Sequence, residues 1–217
     1  MFITRGLLIT LEGIDGCGKS TQAALLQHKL EQSKLPFVAI REPGNTPGGE
    51  AIRKILLQTE YSIHIETELL LYMAARAELV RKVIIPALHN DKVVVCDRFS
   101  DSTLAYQGYG GGLDLEWIQN LNERATGGIV PNLTFLFDLT IEEAARRRVD
   151  KPDRMESHDT CYYRRVRRGY LEIADREKHR FQLLDASQEA SKQSEVVWQS
   201  LIKKIKEHSL LRSSNEL

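Results

Sequence analysis

Apolar residues fall into two kinds of run along this chain, and the two kinds alternate. Short continuous runs such as Leu7-Leu8-Ile9 and Val93-Val94-Val95-Cys96 suit strands buried on both faces. Between them lie longer stretches of helical pattern, the arrangement of a parallel sheet wrapped by helices. The pattern predicts strands over residues 7–12, 36–41, 92–96, 133–138 and 181–185. It predicts helices over about 18–33, 48–59, 66–89, 114–127, 140–149, 157–179 and 189–208. Pro43-Gly44 and Pro47-Gly48-Gly49 mark a tight loop after the second strand, and Gly108-Tyr109-Gly110-Gly111-Gly112 marks another before residue 114. Residues 209–217 read as a frayed tail. The whole suits one α/β domain over residues 1–217, in three layers, with a five-stranded parallel sheet flanked by helices.

Composition narrows the class. The 30 basic and 30 acidic residues cancel, so there is no global field to recruit nucleic acid or a membrane surface, and any basic patch is local. Cys17, Cys96 and Cys161 are odd in number and far apart, with neither C-x-x-C pairing nor a disulfide framework, which suggests a reducing cytoplasm. Met1-Phe2-Ile3-Thr4-Arg5-Gly6 lacks signal-peptide architecture, and no apolar run approaches the ~20 residues of a membrane span. Cys17, close to a helix start, is a candidate oxidisable thiol, although the position asks only for a small residue.

In a doubly wound sheet, ligands collect outside the carboxyl ends of the strands. The first such end carries the most specific motif in the chain, Gly13-Ile14-Asp15-Gly16-Cys17-Gly18-Lys19-Ser20, followed by Thr21 and a helical run. Its glycines let backbone N–H groups curl around phosphate oxygens, and the helix directs its positive end at the same charge. Lys19 supplies a mobile cation for the β- and γ-phosphates, and Ser20 a hydroxyl for Mg²⁺. The motif predicts phosphate binding along Gly13 to Thr21, the stretch that would hold ATP in a kinase, and makes the three-layer fold that of a P-loop NTPase. Asp97, after the third strand, stands where such proteins place the carboxylate that supports Mg²⁺.

Other candidates share the same sheet edge. Arg41, Arg53 and Arg98 offer planar forks suited to phosphate. Together with Lys19 they exceed the needs of one nucleotide and suggest a second phosphorylated molecule. Tyr72 and Arg76 lie four residues apart, hence on one helix face, and could stack on a base and reach its carbonyl oxygen. Core packing plus a surface cation is the ordinary alternative for such a pair. Ser102-Thr103-Leu104-Ala105-Tyr106-Gln107-Gly108 adds hydroxyls and a carboxamide able to satisfy a pyrimidine edge. Arg146-Arg147-Arg148-Val149-Asp150-Lys151-Pro152-Asp153-Arg154 has the composition of a basic lid, spanning about 146–156, of a solvated basic face or, less readily, of a nucleic-acid patch.

The P-loop preceded by Glu12, Arg41-Glu42-Pro43-Gly44, Tyr72-Met73-Ala74-Ala75-Arg76, the run from Asp97-Arg98-Phe99 to Gly108, and Asp153-Arg154 together resemble the bacterial thymidylate kinase family. The resemblance runs in order over nearly the whole chain. It implies transfer of the ATP γ-phosphoryl group to dTMP, giving dTDP and ADP, in a homodimer formed through helices 66–89 and 114–127. It also implies roles. Asp15 would receive the deoxyribose 3′-hydroxyl, Tyr72 would stack on thymine, Arg76 would bond its O4, and Thr103 and Gln107 would address the base edge. Tyr106 would lie where a 2′-hydroxyl would be; Arg53 and Arg98, with Arg41 as a weaker candidate, would hold the acceptor phosphate. Glu42 and Asp97 would support Mg²⁺ and its waters. Lys19, Arg98 and the lid arginines Arg147 and Arg154 would stabilise the transferring group.

Three positions depart from the family pattern. Asn45 stands where glycine often repeats, Tyr72 replaces a commoner phenylalanine, and Gly16 replaces an arginine that some members carry in the P-loop. Two other readings share parts of the motif set. A deoxynucleoside kinase would use Glu42 as a base toward a hydroxyl acceptor, and a regulatory P-loop NTPase would need neither Tyr72-Arg76 nor Gln107.

Overall fold

The computed structural model describes residues 6–58, 61–147, 154 and 158–215. Its strands are β1 (Leu7–Glu12), β2 (Phe37–Arg41), β3 (Val93–Asp97), β4 (Leu133–Asp138) and β5 (Phe181–Asp185). They form one parallel sheet in the order β2-β3-β1-β4-β5. The helices are α1 (Lys19–Gln32), α2 (Pro47–Leu57), α3 (Ile65–Leu79), α4 (Ile85–His89), α5 (Ser100–Thr103), α6 (Leu115–Thr126), α7 (Ile141–Arg147), α8 (Thr160–Arg176) and α9 (Ala190–Asn215). No helix among the described residues is long and apolar enough to cross a membrane.

The two-residue period of a strand produces the three layers. Leu7, Ile9 and Leu11 of β1 pack on one side against Leu26 and Leu30 of α1, Val166 and Tyr170 of α8, and Val197 and Leu201 of α9. Leu8, with Val94 and Cys96 of β3, packs on the other side against Leu79, Val80, Ile84 and Leu88. Each large side chain removed from water in this way contributes about 1.5–3 kcal/mol. Register then sets the site. Leu11 and Arg41 both pair with Asp97, so the turns after β1, β2 and β3 emerge side by side.

The expected strands and long helices are present, with ends shifted by a few residues. The run expected as one helix over 66–89 is helical throughout but passes through a π-helical turn at Val80–Ile84, just before Pro86, which has no N–H to return to the preceding turn. A larger departure lies at 100–110. The glycines of 108–112 were expected to mark a loop, yet the chain is helical from Ser100 through a π-helical segment, Leu104–Gly110. Gly108 and Gly110 serve close packing there. A Cβ at Gly108 would meet Leu115 Cδ2 at 2.5 Å, and one at Gly110 would meet Val166 Cγ2 at 2.7 Å. Only Gly112, at φ +79°, makes a turn that favours glycine. The segment expected to fray continues α9 as far as Asn215. Of the expected lid, residues 148–153 and 155–157 lie outside the described residues.

Candidate active site

The P-loop joins β1 to α1 through Gly13, Gly16 and Gly18, all with φ between +86° and +139°. At Gly16 space adds to conformation, since a Cβ would stand 2.5 Å from the Ala144 carbonyl oxygen. An arginine cannot stand there without moving α7. Lys19 is buried and its Nζ donates to the carbonyls of Gly13 (2.9 Å) and Ile14 (3.0 Å). Ser20 Oγ donates to Asp97 Oδ2 at 3.1 Å, so the P-loop hydroxyl and the strand-end carboxylate meet. These groups line a cleft of about 810 Å³ running from Asp15 through Thr21 to Arg147, Gln188 and Gln193. Arg147 is fixed at its wall by a bond from Nη1 to the Ala186 carbonyl, 2.9 Å.

A second, smaller pocket lies under α3 and the helical run 100–110, lined by Tyr72, Arg76, Thr103, Tyr106 and Gln107 among others. Arg76 is fully buried and forms an ion pair with Glu42 at 2.6 Å. All five of its N–H donors have acceptors, on Glu42, Thr103 Oγ1, Asn122 Oδ1 and the Phe99 carbonyl. Burial pushes the Glu42 carboxyl up from its usual range, against the pull of Arg76. Glu42 gives Arg76 only Oε2; its Oε1 is buried without a hydrogen-bond partner among the described residues.

Asp15, Glu42, Arg53 and Arg98 line both cavities. The two cavities therefore meet at two guanidiniums and two carboxylates. Arg98, held at φ +69°, reaches Asp15 Oδ1, the Gly13 carbonyl and the hydroxyls of Ser102, Tyr106 and Tyr170. Tyr106 also donates to Asp15 Oδ2 at 3.0 Å. Burial raises the Asp15 carboxyl, but Arg98 and Lys19 outweigh it and hold the group below the usual carboxylate range. Arg53 donates to the Pro43 carbonyl at 3.0 Å, and the turn between them is braced by Asn45, whose Oδ1 accepts from Arg41 N and whose N–H donates to Glu50 Oε1.

The P-loop cleft thus adjoins a second pocket, and two arginines line both. Residues 11–197 match the family described as thymidylate kinase. The chain is 49% identical to the thymidylate kinase of Kosmotoga olearia, an alignment covering 88% of this chain and 93% of the relative. It is 43% identical to that of Deinococcus radiodurans, over 90% and 96%. The crystal structure of thymidylate kinase from Ehrlichia chaffeensis superposes with a TM-score of 0.70 at 36% identity, over 82% of this chain and 92% of that one. The chain belongs to the thymidylate kinase family.

Within this family member, most of the expected site residues come together. Asp15 to Thr21, Arg41, Glu42, Arg53, Asp97, Arg98 and Arg147 line the cleft, and Gly13 and Ile14 hold Lys19 beneath it. Tyr72, Arg76, Thr103, Tyr106 and Gln107 line the second pocket. Arg154, expected among the residues that stabilise the transferring group, lies apart from these sets. Its Nε donates to the Leu56 carbonyl at 2.7 Å and its Nη2 to Glu68, and it is not among the residues that line the P-loop cleft. Arg41 is at the rim, half-exposed and paired with Glu50 at 3.1 Å.

Sequence reasoning missed Glu68 and Asn122, the buried partners of Gln107 and Arg76, and the cleft-lining Gln188 and Gln193. For Glu68 a signal existed. Glu68, Tyr72 and Arg76 recur every four residues and so share one face of α3.

Proposed function

We propose that this chain phosphorylates dTMP with ATP, the donor lying in the P-loop cleft, the acceptor in the pocket beneath α3, and the phosphoryl group passing between them. The observation that carries this reading is the shared set Asp15, Glu42, Arg53 and Arg98 where the cavities meet. Arg53 and Arg98 would hold the acceptor phosphate there. A phosphomonoester has a second pKa near 6, so the acceptor is already nucleophilic near neutrality and needs no general base. Catalysis then consists of alignment and charge neutralisation by Lys19, Arg98 and, from the cleft wall, Arg147.

In the acceptor pocket Tyr72 would stack on thymine, Thr103 and Gln107 would meet the base edge, and Asp15 would take the 3′-hydroxyl, with Tyr106 beside the sugar. Arg76 has no unused donor, so thymine O4 would share the N–H that now meets Thr103, whose hydroxyl can rotate to accommodate it.

The donor set suits Mg²⁺, which takes one or two protein oxygens and fills its sphere with water and phosphate. Ser20 and Asp97 bring two such oxygens together, and the unpartnered Glu42 Oε1 is an acceptor for metal-bound water. When bound, the ion would neutralise charge on the donor phosphates. The chain would act as a single domain with its lid over the cleft. A groove lined by Met73, Ala77, Leu121 and Ala125 on α3 and α6 supports pairing of two copies there. Free Cys17, Cys96 and Cys161 suit a reducing cytoplasm.

The test is ADP release with ATP and Mg²⁺ in the presence of dTMP, thymidine or no acceptor. ADP and dTDP should form one for one with dTMP alone. Preferred turnover of thymidine, or equal ADP release without acceptor, would replace this reading with a nucleoside kinase or a regulatory NTPase.

A further inference from the structure

We infer that Glu68 sets the base specificity of the acceptor pocket by fixing which end of the Gln107 amide faces the base. This rests on the reading of that pocket as the dTMP site. Gln107 is buried, lines the pocket, and donates from Nε2 to Glu68 Oε1 at 2.7 Å. An ionised carboxylate accepts and cannot donate, so it admits only the amide orientation in which Nε2 points at it. Gln107 Oε1, which meets no donor among the described residues, is then left to the ligand. Arg154 occupies the other carboxylate oxygen, and Glu68 itself is only 2% exposed in its side chain, so neither water nor rotation offers the amide a different partner.

The consequence is chemical discrimination. Thymine N3 carries a proton and donates to a carbonyl oxygen. Cytosine N3 is an acceptor and would face the same oxygen lone pair to lone pair, leaving two buried acceptors without a donor. Gln107 alone is indifferent, because an amide can be turned over to present Nε2. Glu68 removes that freedom. It is a positioning residue, and its place on α3, one turn before Tyr72 and two before Arg76, puts base stacking and base-edge orientation on a single rigid stripe.

The decisive variants are Glu68→Gln and Glu68→Asp, compared through the ratio of kcat/KM for dTMP to that for dCMP. The ratio is internal to each preparation, so a partly misfolded fraction cancels. Gln at 68 can donate or accept, so Gln107 can turn over, and the ratio should fall by roughly tenfold or more, partly through a gain on dCMP. Asp at 68 accepts only and should keep the preference even if both rates drop. An unchanged ratio in Glu68→Gln, or an equal fall in Glu68→Asp, would overturn the inference and leave Glu68 a packing residue. Wild-type protein without dTMP turnover would overturn it together with the dTMP reading.

Discussion

The cleft proposed for the donor is built largely on one continuous stretch, residues 13–21, where backbone N–H groups and a helix terminus are set by glycine conformation. The pocket proposed for the acceptor is assembled from side chains that meet across the sequence, 34 residues apart for Glu42 and Arg76 and 91 for Asp15 and Tyr106. The first region keeps its lysine on exchangeable carbonyls. The second has every Arg76 donor occupied before any ligand arrives. A phosphate cradle can be local because all phosphates look alike, whereas reading one base requires polar groups held in one orientation by buried partners.

This contrast predicts that damage to the acceptor pocket appears as lost stability and damage to the donor cleft as lost rate. The largest effect is expected at Arg76→Ala, which strands the Glu42 carboxylate in the core and should cost about 3–5 kcal/mol, measured as a shift in the denaturant midpoint. Replacing both partners by apolar residues should recover part of that loss. A small loss in the single variant would mean that the pair is not the brace described.

Lys19→Ala comes next and falls on the other side of the comparison. Turnover should drop by roughly 10² to 10³, with the unfolding midpoint close to that of the wild type. Near-normal turnover would remove the P-loop cation from the mechanism.

Glu12 sharpens the boundary between the regions, since it lies beneath the P-loop and accepts from Phe99 N, Ser102 Oγ and Tyr170 OH. Burial, with Asp101 adding to it, pushes its carboxyl from 4.5 up to about 7. A raised folded pKa favours the protonated form, so its contribution is present in full below the unfolded value and is lost as pH rises through about 7. Glu12→Gln should flatten that part of the stability profile between pH 4.5 and 7 in thermal scans. A variant whose profile parallels the wild type would refute the assignment. The smallest effect is expected at Arg41→Ala, an exposed pair with Glu50, which should change stability by no more than about 1 kcal/mol.

Legibility followed the same division. Strands buried on both faces and the P-loop could be read because their signals are contiguous, and Asp97 and Arg98 because a strand end gives an address. The glycines at 108 and 110 misled because glycine signals a turn and close helix packing alike, and only the contacts with Leu115 and Val166 decide between them. The position of Arg154 was not legible for a related reason. A basic run gives composition but no direction, and the buried acid that captures Arg154 lies 86 residues earlier. The spacing of Glu68 with Tyr72 and Arg76 gives its helix face but not its partner, and Asn122 carries no signal at all, because a long-range hydrogen bond leaves no local pattern.

The central claim is that the acceptor phosphate lies where the two cavities meet, held by Arg53 and Arg98. Calorimetric binding of dTMP and of thymidine to the wild type and to Arg53→Ala tests it most directly, because ligand and protein then each lose one half of the same contact. The account predicts that Arg53→Ala weakens dTMP by roughly 10- to 100-fold and leaves thymidine affinity unchanged. Equal weakening of both ligands, or of neither, would contradict it.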